Sequence, residues 1–233
     1  MRTQDPGDRF AAIARDLRSQ PSPAATLDRV VDMAVETVRG CDHAGISLIQ
    51  KRKIETVAAT DDVATKGDQQ QYVLDQGPCL DSIREQETIR SNALADDSRW
   101  PEWGPWVQDN LGVSSMLCFQ LFTSEESYGG LNLYSDRAGA FDSHDQAVGL
   151  ALAAHAAVAF AASREIHGLE TAITNRTIIG QAEGILMERY DLSADRAFSF
   201  LTRISQNENR RLAEIAEELV ADRQLPGRSD HDA

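Results

Sequence analysis

Ser143 to Tyr190 reads SHDQAVGLALAAHAAVAFAASREIHGLETAITNRTIIGQAEGILMERY, and it decides the organisation of the chain. No proline interrupts it, and glycines 149, 168, 180 and 184 stand alone among helix formers. Asp142 or Ser143 supplies an N-cap, and Asp145 in the first turn complements the helix dipole. A continuous helix of this length spans about 70 Å, more than a domain of this size covers. Leu169, Ala172 or Ile173, Arg176, Ile179, Glu183 and Leu186 recur at three- and four-residue steps, an imperfect coiled-coil seam. A parallel homodimer through this helix buries both the seam and the alanine-rich part. The alternative is a helix bent at Gly168 and folded back on its own domain.

Upstream of this helix the pattern is mixed. Phe10, Ile13, Ala14 and Leu17 mark one helical face, and a second helix starts near Ala24. His43–Gln50 and Lys53–Thr60 are two β-type runs around the Lys51-Arg52-Lys53 turn. Asp68–Leu74 and Leu80–Glu85 read as short helices around Gln76-Gly77-Pro78. A tryptophan-rich loop, Trp100 to Trp106, leads to a helical turn and Gly112. Ser115–Phe122 and Gly129–Tyr134 form a second strand pair. The order α-α-β-β-(α-α)-β-β-α predicts an α+β domain with a largely antiparallel sheet. Downstream, Ser193 caps a helix over 194–205 and Asn207 caps another over 208–222. Pro226-Gly227 ends the last helix, and a disordered tail over 226–233 is expected.

Composition narrows the function. The 233 residues include 23 basic and 37 acidic side chains, a formal net charge of −14. Such a chain is repelled at long range by polyphosphates and anionic membranes, so any nucleic-acid function needs a local site. All basic residues after position 163 are arginine. No signal peptide is visible at the start, and the apolar run from Ala147 to Ala162 falls short of a membrane span. Three cysteines without metal spacing indicate a reducing cytoplasm and neither a disulfide framework nor a zinc site. No phosphate loop, His-Glu-x-x-His or Gly-x-Ser-x-Gly occurs, so no catalytic residue, metal or cofactor is expected. Asp61-Asp62 follows a strand as a phosphoacceptor would. A receiver, however, opens on a strand and alternates βα units, whereas this chain opens on two helices.

The stretch RTIIGQAEGILMERY over 176–190, then Ser193 to Phe198, Leu201, Ser205-Gln206-Asn207, Arg210-Arg211-Leu212 and Ile215-Ala216 resembles the ANTAR family of transcription antitermination regulators, from about Leu169 to Val220. The resemblance implies a three-helix module whose dimer binds stem-loop RNA. Independently of the family, Arg203, Arg210 and Arg211, with Gln206 and Asn207, cluster around one turn. Arginine offers forked planar donors suited to RNA loops. Arg176 and Gln181 on the long helix complete the candidate RNA-binding set. For any one arginine, a solvated or salt-bridged surface role is the alternative. Glu183 stands where many family members carry lysine. Gly180 and Gly184 are expected to let the following helix pack closely. Ile185, Leu186, Met187, Phe198 and Leu201 are expected in the core.

Residues from about Arg9 to Ser163, through GPCL at 77–80, DSRWP at 97–101, GVSS at 112–115, GGLNLY at 129–134 and AFD at 140–142, resemble a GAF domain. That implies a sensor fold with a pocket between the sheet and its covering helices, open to an unidentified small-molecule ligand. Tyr72, Cys79, Trp100, Trp103, Phe119 and Tyr134 are its candidate lining, and a filled core is the alternative. Cys79 follows Gly-Pro at a helix start, where a thiol is either activated or packed and inert. The whole reads as a GAF-like sensor domain over 1–163 and an all-helical RNA-binding module over 164–225, sharing the long helix 143–190. The expected protein is a cytoplasmic antitermination regulator, a homodimer and not an enzyme. The competing reading is a ligand-binding dimer whose helical module binds a protein partner.

Overall fold

The computed structural model describes residues 6–50, 53–123 and 127–222. The Lys51-Arg52 turn, the side chain of Phe10 and the tail over 226–233 lie outside the described residues. The chain divides into two units between Glu165 and Ile166.

The first unit is built on five strands: β1 (His43–Gln50), β2 (Lys53–Ala59), β3 (Ile89–Ser91), β4 (Ser115–Phe122) and β5 (Ser127–Ser135). Their order is β2-β1-β5-β4-β3, and each neighbouring pair is antiparallel. Strand side chains alternate between faces. Ala44, Ile46, Leu48, Leu117, Phe119, Leu121, Leu131 and Leu133 form one face. Against it pack α1 (Pro6–Arg18), α2 (Pro23–Thr37) and the first turns of α6 (Ser143–Tyr190). Ser22 caps α2 by accepting the Ala25 N–H at 3.2 Å. Asp142 accepts the N–H groups of His144 and Asp145, while Asp145 accepts the Asp142 N–H, a capping box that starts α6.

The opposite face carries Ser47, Met116, Cys118, Asn132 and Tyr134. It is covered by α3 (Asp62–Leu74), α4 (Pro78–Glu85) and α5 (Trp103–Leu111). Two elements differ from the sequence reading. Helix α3 begins six residues before Asp68, because Asp61 caps it by accepting from Val63 and Ala64. Its inward residues include Asp68 and Gln71, so no apolar period marks it. Strand β3 is a three-residue edge paired through Ile89, Arg90 and Ser91, too short to show any period.

An 18-residue window of α6 has mean hydropathy 1.5, enough by length and composition to cross a membrane. One third of that window is buried, 33%, with Val148, Leu152, Ala153, Ala156 and Phe160 in the core beside the sheet. Gly149 serves the same packing: a Cβ there would collide with the Phe119 ring.

The second unit comprises the remainder of α6, α7 (Ala194–Glu208) and α8 (Leu212–Asp222). Ala182, Leu186, Ala197, Leu201, Ile215, Ala216 and Leu219 form its core, all fully buried. Asn207 is not a cap, since α7 continues through Glu208. Asn209 ends it in the left-handed conformation at φ 52°. Ser205 Oγ then donates to the Arg210 carbonyl at 2.6 Å, closing the turn. Met187 and Phe198, expected in the core, are exposed. The module's core is filled by alanine, leucine and isoleucine side chains instead. Gly180 and Gly184 do not serve α7, because a Cβ on either meets nothing within 4 Å.

Candidate functional site

The second face of the sheet carries a buried polar cluster. Alternation in β1 and β5 turns Ser47, Asn132 and Tyr134 inward, and α3 lowers Asp68 onto them. Asp68, Ser47, Asn132 and Tyr134 are fully buried. Tyr134 donates to Asp68 Oδ1, as does Asn132 Nδ2 at 2.8 Å. Thr56 donates to Oδ2 at 3.1 Å. Tyr72 donates to Ser47 Oγ at 2.6 Å, which links the carboxylate to the outer edge of α3. Gln71 donates to the Tyr134 hydroxyl and accepts the Cys79 N–H at 2.8 Å, tying α3 to α4. Gly45 makes room: a Cβ there would stand 2.8 Å from Asp68 Oδ2.

Asp68 forms no ion pair among the described residues, and burial pushes its carboxyl up to about 6 against the pull of its donors. Neutral donors thus hold a carboxylate in a fully buried site. Among the described residues, Asn132 Oδ1 and Ser82 Oγ are buried without a partner. An orphaned buried acceptor costs stability unless something donates to it. Both oxygens can accept an N–H or O–H donor.

Of the expected lining residues, Tyr72, Cys79 and Tyr134 meet in this cluster. Trp100 and Trp103 stand in the apolar core beside it, edge to face at 6.4 Å. Trp103 Nε1 donates to the Gly67 carbonyl at 3.0 Å, and Trp100 Nε1 to Asp81 at 2.7 Å. Phe119 does not join them. It lies on the other sheet face against Gly149, because odd positions of β4 point towards α2 and α6. Asp68, Ser47, Thr56, Gln71 and Asn132 were not among the expected residues. The alternation Gly130-Leu131-Asn132-Leu133-Tyr134 was the available signal, since period two puts Asn132 beside Tyr134.

Cys79 is packed and protonated. Burial, then the nearby Asp68, push its thiol up to about 12, and this outweighs its place at the start of α4. Cys41 and Cys118 are buried and raised as well. A thiol-specific disulfide reagent at neutral pH is expected to label none of the three in the native chain and all three after denaturation. Rapid native labelling at Cys79 would contradict this packing.

A second cluster lies in the C-terminal unit. Arg203, Gln206, Asn207, Arg210 and Arg211 are exposed around the turn between α7 and α8. Arg203 lies over the Phe200 ring at 5.5 Å. Arg210 is pinned between Glu208 at 3.1 Å and Glu218 at 2.8 Å. Arg211 reaches Glu214 at 3.3 Å, yet its side chain is 88% exposed. Exposed pairs of this kind are weak and exchangeable, so a phosphate can displace the carboxylates. Arg176 and Gln181 are exposed on α6.

Comparison with known proteins agrees with both halves. The GAF domain family matches residues 20–161, and the ANTAR domain family matches residues 167–220. No curated protein matches the chain. Among solved structures, the GAF domain of a phosphoenolpyruvate-protein phosphotransferase from Coxiella burnetii is 16% identical, with a TM-score of 0.54, covering 69% of this chain and 95% of its own. The corresponding domain from Acinetobacter is 15% identical, with a TM-score of 0.53, covering 68% and 94%. Free methionine-R-sulfoxide reductase from Neisseria meningitidis, in complex with its substrate, is 16% identical, with a TM-score of 0.53, covering 67% and 89%. At such identities these likenesses show the fold alone. GAF domains are sensor domains, and ANTAR domains are associated with RNA-binding antitermination regulators. With the sheet and its covered polar face matched by one family and the three-helix unit by the other, the chain belongs to the GAF family and carries an ANTAR domain behind its sensor.

Proposed function

We propose that the protein is a signal-responsive regulator that binds stem-loop RNA and promotes transcription antitermination. The observation that carries this reading is the exposed arginine turn within the matched ANTAR domain. The chain's net charge of −14 means that the turn works at short range rather than by general attraction. The Asp68 cluster is the ligand-sensing site, and the protein acts as a cytoplasmic homodimer without catalytic chemistry.

The test is titration of a labelled hairpin RNA at two salt concentrations. Arg211→Ala and Arg203→Ala are each expected to weaken binding about three- to tenfold and to flatten the salt slope by about one phosphate contact. Arg210→Ala has the smallest effect, because two carboxylates already hold its guanidinium. Unchanged affinity in all three variants would overturn the RNA face and favour a protein partner. Sedimentation of the full chain at micromolar concentration is expected to give twice the 25.6 kDa chain mass, and a monomer would overturn the dimer.

A further inference from the structure

Within the C-terminal unit, Leu169, Ile173, Arg176, Gly180, Glu183, Met187 and Tyr190 line one stripe of α6 in alternating steps of four and three, all exposed except the half-buried Glu183. The apolar members are 60%, 66%, 38% and 44% exposed in chain order. The stripe departs from the expected seam, because Leu186 and Ile179 turn towards α7 and α8. Glycine inside an exposed helix costs stability, and nothing in this unit comes within 4 Å of a Cβ at Gly180. The stripe's two charges, on Arg176 and Glu183, form no ion pair among the described residues.

We propose that this stripe binds a second copy of the chain in an antiparallel crossing, with the two-fold axis at Gly180. This rests on the dimer reading above. A two-fold interface must be self-complementary, and the order of residues is self-complementary in one direction. With Gly180 facing Gly180, Arg176 meets Glu183 of the second copy, Ile173 meets Met187 and Leu169 meets Tyr190. The glycine lets the backbones approach at the axis. The parallel arrangement expected from the sequence instead stacks Arg176 on Arg176 and Glu183 on Glu183, which is repulsive in both layers. Arg176, expected at the RNA, is then held by the second copy.

The test is disulfide cross-linking of the full chain carrying Ile173→Cys or Met187→Cys. The three native cysteines are buried and stay silent. Residues 173 and 187 lie about 21 Å apart on one helix, so an intrachain bond is out of reach. An equimolar mixture of the two variants is expected to cross-link at least tenfold faster than either alone. Ile173→Cys linking to itself as readily would overturn the antiparallel crossing and leave a dimer. A dimer by sedimentation with no cross-link in any combination would overturn the stripe as its interface. A monomer would overturn the dimer itself. Charge exchange checks the register without cysteines. Arg176→Glu and Glu183→Arg are each expected to weaken dimerisation about tenfold at low salt, and the double exchange to restore it. Failure of the double exchange to restore it would overturn the pairing.

Discussion

Leu201→Ala is expected to unfold the C-terminal unit and abolish RNA binding while the sensor domain stays folded. Leu201 is fully buried at the centre of a core of seven residues, three of them alanine. Truncating a buried leucine costs about 2–5 kcal/mol in transfer and cavity terms. A unit this small holds only a few kcal/mol in total, so the loss consumes most of it. Circular dichroism should show reduced helix at 25 °C and a retained melting transition for the sheet-bearing unit. Arg211→Ala is the control, because an exposed substitution shifts stability by within about 0.5 kcal/mol. If Leu201→Ala melts like the wild type and still binds hairpin RNA, the three-helix core is not what presents the arginine turn.

Asp68→Asn is expected to remove a pH-dependent stabilisation of the sensor domain. Burial holds the Asp68 carboxyl at about 6, above its ordinary 3.8, so the folded form binds the proton more tightly than the unfolded form. The resulting stabilisation is complete below the unfolded value and is lost as the pH rises through about 6. It amounts to about 3 kcal/mol. His43 works in a neighbouring window. Burial would lower it, but Asp61 at 2.6 Å and Asp136 at 3.2 Å carry it net upward from 6.5. Its contribution is present below 6.5 and is lost as the pH rises through the raised value. Melting the sensor domain from pH 4 to 8 separates the two. The difference between wild type and Asp68→Asn should change between about pH 4 and 6, and that between wild type and His43→Gln only above about 6.5. A wild-type slope retained in Asp68→Asn would place the titrating proton elsewhere.

Much of this architecture was legible because its signals are local. The absence of proline over 143–190 announces the long helix, and β-type runs bounded by turn residues announce β1, β4 and β5. The spaced residues from Arg176 to Ala216 identify the RNA-binding family. What the sequence alone did not reveal depends on which residues meet across the fold. Phe119 reads as an aromatic pocket wall, but the sheet face of each β4 residue is set by register against β5. Asp68 reads as an ordinary helix carboxylate. It becomes a buried acid because α3 packs on β1 and β5, where Tyr134, Asn132, Thr56 and Ser47 supply its donors. Met187 and Leu186 are neighbours of equal hydrophobicity, and only the approach of α7 and α8 buries one and exposes the other. Helix and strand formation follow from short-range periodicity and capping, so the sequence by itself determined most of the elements and the family, while the start of α3, the short β3 and the α7–α8 boundary escaped it. Burial of a charge, the choice of a face and the exposure of the α6 stripe arise from residues far apart along the chain, and those the tertiary structure decided.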